Sequence, residues 1–104
     1  MSIRVTNYKI YNSAALTANV EASQQLSEQA SYFEIKCRQI NSELKVTFVS
    51  GDSGTNYFTI PMGGTWWTKG QIAGRKTLYF QSPQAGTIVE ILEGDMTAFV
   101  PTNL

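Results

Sequence analysis

Hydrophobic and polar residues alternate along much of this chain, and the alternation predicts strands rather than helices. The sharpest run follows Ser31, where Phe33, Ile35 and Cys37 fall on one face and Tyr32, Glu34, Lys36 and Arg38 on the other. That is the period of two of a half-buried strand. Asn41-Ser42 reads as a turn, after which Leu44, Val46 and Phe48 form the next inward set against outward Glu43, Lys45 and Thr47. The two runs read as an antiparallel pair. Before them, Ser2 to Asn12 alternates imperfectly through Ile3, Val5, Tyr8 and Ile10, and reads as an N-terminal strand or arm able to pair with a sheet edge. Ala14 to Glu21 carries only weak alternation. Ser23 to Ala30 is the one helix-friendly stretch, but it is too short and has too few large apolar residues, so it reads as a loop with at most one helical turn.

Downstream, Gly51 to Thr55 is a loop by composition. Tyr57 to Pro61 is a short strand with Phe58 and Ile60 inward, ended by a proline that cannot donate to a ladder. Met62-Gly63-Gly64 is a turn and Thr65 to Lys69 another short strand; residues 70–76 return the chain to its last apolar stretch. That stretch, Thr77 to Leu92 (TLYFQSPQAGTIVEIL), reads as a closing β-hairpin whose Pro-containing turn ends at Gly86. In its second strand Val89 and Ile91 share one face while Ile88, Glu90 and Leu92 share the other, so both faces are largely apolar, as where one packs a core and the other meets a partner. The pattern as a whole predicts an all-β chain: a small antiparallel β-sandwich or barrel with an extended N-terminal strand. It is expected as a single domain over residues 1–104, with an arm and loop at 1–30, the sandwich core at 31–93 and a docking tail at 94–104.

Composition narrows the use of such a domain. Charged residues make up 15% of the 104, and the eight cations balance the eight anions. A neutral, uncharged-polar surface is cheap to desolvate in an interface and poor at attracting phosphate. The expected partners are therefore neither nucleic acid nor membrane; no apolar run reaches the length of a span. The first residues lack a signal-peptide layout, and a single cysteine, Cys37, excludes an internal disulfide, so synthesis in a cytoplasm is expected.

Candidate chemistry is thin. GDSG at Gly51 to Gly54 matches the peptide around a serine-protease nucleophile, but the chain has no histidine to act as base. One cysteine and no histidine give no zinc set, and the carboxylates show no calcium-loop spacing. Glu90 and Glu93 are strand-end neighbours rather than a facing pair. No catalytic residue, metal or cofactor is expected, and the chain reads as a non-enzyme. The conspicuous feature is Trp66-Trp67: on a strand at most one of the two belongs to the core. The other is left for a subunit interface, the favoured use, or for edge packing, or for a sugar platform near Tyr57 or Tyr79. With Ile88 and Leu92 from the last strand, the interface candidates are Tyr57, Trp66, Trp67, Tyr79, Ile88 and Leu92.

From Tyr32 onward the order of features, Phe33 to Cys37, Val46 to Gly51, the turn from Ile60 to Gly64 and Leu78 to Ile91, resembles small β-sandwich structural proteins of tailed-bacteriophage virions. That resemblance implies a structural role without catalytic residues: a capsid decoration (cement) protein, a head-fibre base or a tail accessory protein. It implies a major capsid or tail protein as partner, a homo-oligomer with a trimer favoured, and residence in the virion after synthesis in the host cytoplasm. The alternative from the residues themselves is a carbohydrate-binding module with an exposed tryptophan.

Overall fold

Among the described residues the alternating runs become eight strands and no helix. The computed structural model describes residues 2–28, 30–68 and 76–99. In chain order the strands are β1 (Ser2–Asn12), β2 (Ala22–Gln25), β3 (Tyr32–Cys37), β4 (Leu44–Thr47), β5 (Phe58–Ile60), β6 (Thr65–Thr68), β7 (Thr77–Gln81) and β8 (Val89–Phe99). They form two four-stranded antiparallel sheets, β1-β8-β3-β6 and β2-β7-β4-β5. Every connection except β4–β5 carries the chain from one sheet to the other. This strand order is that of an eight-stranded jelly roll, a double-sheet sandwich that leaves few long edges.

The core is where the inward phases of the two sheets meet. Phe33, Ile35, Val89 and Ile91 from the first sheet face Leu44, Val46, Ile60, Leu78 and Phe80 from the second, all with 3% or less of their surface exposed. Burying each such side chain is worth about 1.5–3 kcal/mol. Residues 1–30 contribute more than an arm, because they supply two strands and place Leu16, Leu26 and Ala30 in the same cluster. Among the described residues every buried side-chain nitrogen or oxygen has a hydrogen-bond partner.

Four readings of the pattern are corrected. The runs around Phe33 and Leu44 are strands with the predicted faces, but they do not pair: β3 lies between β8 and β6, and β4 between β7 and β5. The stretch Thr77–Leu92 is not a hairpin, since β7 and β8 belong to opposite sheets and the segment between them is a corner. A buried polar cluster holds that corner. The Thr87 hydroxyl donates to the Gln84 carbonyl (2.8 Å) and lies 2.9 Å from the Ser42 hydroxyl, while the Glu43 N–H donates to Gln84 Oε1 (3.0 Å). Gly86, with φ of 83°, donates its N–H to the Leu16 carbonyl (2.8 Å), a left-handed backbone conformation that glycine adopts without steric cost. The helix-friendly segment from Ser23 contains β2, because Ala22 to Gln25 pair with Phe80 to Thr77 and the ladder outweighs local propensity. Phe58 is in the inward phase opposite Val46, yet it is 59% exposed, because it sits at the rim of edge strand β5.

β1 and β8 outrun the sandwich. The β3–β8 ladder ends at Tyr32–Gly94, whereas β1 and β8 stay paired from Thr6–Asp95 out to Ser2–Phe99. At about 3.4 Å per residue these five pairs make a two-stranded ribbon roughly 17 Å long. The register shifts between Thr6 and Lys9, so the extra residue sits on β1 at the ribbon's root. The molecule measures 53 × 25 × 20 Å. Gly94 to Phe99, expected as part of a docking tail, is the far half of β8. Lys69 and the return segment to Arg75, and residues 100–104 of the tail, lie outside the described residues.

Candidate protein interface

Two of the aromatic candidates, Tyr57 and Trp66, lie where β5 and β6, edge strands of the two sheets, come together. Alternation sends Trp66 inward beside Ile35, its register partner on β3. Its ring meets Phe33 edge-on at 5.4 Å between centroids, Phe58 edge-on at 4.8 Å and Phe48 at a tilt at 5.9 Å. Such contacts add about 0.5–1.5 kcal/mol per pair beyond area burial. Trp66 is therefore half-buried packing at the edge of the core, and its ring is engaged on several sides. Trp67 is opposite Glu34 in the β3–β6 ladder, and its side chain lies outside the described residues.

Around Trp66 the flank is apolar and open. Phe58 is 59% exposed, Met62 55% and Ile40 80%. The turn that carries Met62 is tight: the Gly64 N–H donates to the Pro61 carbonyl at 2.8 Å and Gly63 has φ of 76°. The same turn lies against the loop of Ile40, since a Cβ built on Gly63 would come within 3.9 Å of the Ile40 carbonyl. A small hollow of about 150 Å³ between Phe58, Ile60, Pro61 and Trp66 indents the flank. Tyr57, next to Phe58 in the chain, is exposed with the Lys45 ammonium 4.9 Å from its ring centre, and the Lys76 ammonium lies 5.9 Å from the centre of the Phe48 ring. A rigid edge with aromatic residues, a pocket and no carboxylate on those rings has the composition of an interface centre.

The six predicted residues are not one site. Tyr57 and Trp66 share this flank. Tyr79 sits on β7, paired with Ser23 and Thr47 and half-buried, out of phase with the core residues Leu78 and Phe80. Ile88 is at the β7–β8 corner, where its N–H donates to Gln39 Oε1 at 3.0 Å and its carbonyl accepts from the Arg38 N–H at 2.8 Å. Leu92 is on the outer side of the first sheet, between Ile10 and Glu34. Sequence reasoning missed Phe58, Met62 and Ile40 as surface residues. The available signals were an isolated Ile40 between polar neighbours and a methionine at a turn.

Elsewhere the polar groups hold structure together. Ser53 of the GDSG loop is 1% exposed and donates its hydroxyl to Glu21 Oε1 at 2.5 Å, while the Gly51 and Ser53 N–H groups donate to the same carboxylate at 2.9 and 3.2 Å. These bonds hold the Glu21 carboxyl below its ordinary range. Glu90 is likewise lowered by Arg38 Nε at 3.0 Å and Lys36 Nζ at 3.4 Å, both on the neighbouring chain segment across the sheet. Burial pushes the Cys37 thiol up to about 11. Two larger hollows are present. One of about 420 Å³ lies between the end of β1 and β2, lined by Leu16, Phe80 and small residues; the other, of about 430 Å³, lies over Ile10, Leu92 and Glu34 on the outer side of the first sheet. Among the described residues no three His, Cys, Asp or Glu side chains gather as a metal set, and no helix is long and apolar enough to cross a membrane. No protein-family model matches this chain, and no curated protein matches it at a significant level.

Proposed function

We propose that this chain is a structural component of a bacteriophage virion that works without catalysis, as a decoration or cement protein seated on the major capsid or tail protein. The observation that carries the reading is the β5–β6 flank. Phe58, Met62 and Ile40 are exposed, Phe58 meets the half-buried Trp66 edge-on at 4.8 Å, and the turn that carries Met62 lies against the Ile40 backbone; exposed apolar residues gathered in this way mark an interaction surface. The flank is held by strand pairing and a tight turn, so little conformational entropy is lost on docking. A contact of this size is weak singly. Repeated around a symmetric particle it clamps neighbours additively, and it is favoured because it costs little charge desolvation. The jelly-roll topology is used by viral capsid and lectin domains alike, so the site rather than the fold bears the argument. A sugar platform at Trp66 gains no support, because Phe33, Phe48 and Phe58 already surround the ring.

The test is co-sedimentation with particles of the encoding phage that have been emptied and stripped of accessory proteins. The wild-type chain is expected to sediment with them to saturation. Phe58→Glu, which alters an exposed position, is expected to fold normally and stay in the supernatant. Wild-type chain that never sediments, or Phe58→Glu that sediments equally, overturns the reading.

A further inference from the structure

The sandwich has a second opening on the side away from β5 and β6. There the edge strands are β1 and β2, one from each sheet, and between the end of β1 and β2 lies a hollow of about 420 Å³. That volume is in the range of small-ligand sites. Its frame is fixed without a ligand. The segment from Ser13 to Val20 forms one wall and is tied to the corner between β7 and β8. The N–H groups of Ser13, Leu16 and Asn19 donate to the carbonyls of Val89 (2.9 Å), Thr87 (2.8 Å) and Ser82 (2.8 Å). β2 forms the other wall, paired with β7 from Ala22 to Gln25. Tyr11 is half-buried beside them, and its hydroxyl donates to Glu93 Oε1 at 2.6 Å, which sets the ring in place. Leu16, Phe80 and Ile91, all buried, make an apolar floor.

The polar groups above this floor define the class of ligand. Among the described residues that line the hollow, the one side chain charged at neutral pH is Glu21. Its carboxylate already accepts from the Gly51 N–H, the Ser53 N–H and the Ser53 hydroxyl. The remaining polar groups are uncharged and include both donors and acceptors. Asn12 accepts from Arg38 through Oδ1 at 3.1 Å, so its amide N–H groups are what it presents. Gln24 gives its Nε2 to the Gln25 carbonyl at 3.0 Å, so it presents its amide oxygen. Thr17 and Ser23, both exposed, carry hydroxyls that do either. An anion calls for donors and positive charge, a cation for acceptors and negative charge; this lining is neither. It suits a neutral molecule whose own groups both donate and accept, and whose apolar surface matches the Tyr11 ring and the floor. A pyranose ring has that character, with hydroxyls around its edge and C–H groups on its face. We infer that the cleft between β1 and β2 binds a neutral sugar, one hexose unit of a glycan.

Amide-resolved NMR titration of the isotope-labelled full chain is the test. Methyl glycosides of glucose, galactose, mannose and N-acetylglucosamine are added singly to about 100 mM, which spans the millimolar affinities of single-ring ligands. At least one is expected to saturate, shifting the amides of residues 12–17 and 20–24 that frame the hollow. Cyclohexanol, a ring of like size with one hydroxyl, and glucuronate, a charged sugar, are expected to bind about tenfold more weakly or less. Ala15→Trp and, as a second variant, Ser23→Trp fill the cleft from exposed positions. Both are expected to keep the native pattern of amide signals and to lose about tenfold or more in affinity. Phe58→Glu, on the opposite flank, is expected to bind sugar as the wild type does. No response of these amides to any of the glycosides overturns the inference. So does cyclohexanol binding as tightly as the best glycoside, or wild-type affinity in both tryptophan variants. The outcome is independent of particle docking: a chain that binds sugar but ignores stripped particles keeps this inference and loses the other reading, and the converse result does the reverse.

Discussion

Glu93 marks the root of the ribbon, and replacing it with glutamine measures what holds that root. It is 3% exposed, in the core's phase of β8. Its Oε1 accepts from the Tyr11 hydroxyl at 2.6 Å and from the Ser27 N–H at 2.9 Å, tying β8 to β1 and to the segment after β2. Hydrogen bonds to a charged acceptor are worth about 1.5–3 kcal/mol against about 0.5–1.5 for neutral ones, so two of them lose roughly 2 kcal/mol when the charge is removed. Relief of desolvation returns part of this. Burial is the largest single influence on Glu93 and acts to raise its pKa, yet the bonds from Tyr11 and Ser27, with the nearby Lys9 ammonium, bring the carboxyl below its ordinary value. The bonds therefore outweigh the desolvation. Glu93→Gln is expected to cost about 1 kcal/mol at pH 7, the smaller net of the two.

The sign with pH follows from the same balance. A carboxyl whose folded pKa is depressed contributes stability that is fully present above its unfolded value, near 4.5, and is lost as pH falls through the folded value. The wild-type advantage over Glu93→Gln is therefore expected at pH 7 and pH 6, shrinking below pH about 4.5 and vanishing once both states are protonated. Urea titrations of the two chains at several pH values read the difference directly. Glu21 and Glu90 are lowered as well, but they are present in both chains and cancel in the difference. A gap that stays constant down to strong acid, or a variant more stable than wild type at pH 7, would refute the argument.

Three further expectations rest on single positions. Trp66→Ala removes a half-buried ring and its three aromatic contacts, and should cost about 2–3 kcal/mol, read as a fall in Tm of roughly 10–20 °C; a loss under about 0.5 kcal/mol would show that the ring is not packed. Gly86→Ala meets nothing within 4 Å but must hold φ of 83°, so about 1–2 kcal/mol of backbone strain is expected in chemical denaturation, with Gly86→Asn losing less. Val89→Lys buries an ammonium at a site with no exposure and should abolish cooperative unfolding, whereas Ile88→Lys, at a half-buried corner position, should retain it. Equal behaviour of the two would contradict the phase assigned to β8.

What could be read from the residues was local, and what could not was membership. Period-two alternation is a property of one strand, so the inward sets Phe33/Ile35, Leu44/Val46 and Val89/Ile91 were legible and are the buried ones. Which strands are neighbours is decided by the connections, and a hairpin turn and a corner between sheets draw on the same Ser, Pro, Gly and Gln. The Ser82–Thr87 segment differs from a hairpin turn in where its hydroxyls go: Thr87 finds Ser42, 45 positions away, which no local pattern encodes. β2 was illegible for the opposite reason. ASQQ has no apolar phase to see, and it is a strand because β7 offers it a ladder. Phe58 shows that phase and burial are separate facts, since a residue can face inward at a rim that nothing covers.

The same distinction explains the last strand. Read by composition, the chain divides near Gly94, where the apolar run gives way to a mixed tail; read by register, β8 crosses that point without a break. A sandwich needs its inward phase apolar only as far as a second sheet lies opposite, and β3's ladder shows that limit at Gly94. Glu93 sits at the boundary because a carboxylate there can still be held by Tyr11 and Ser27, while one strand residue further on no core remains to be closed.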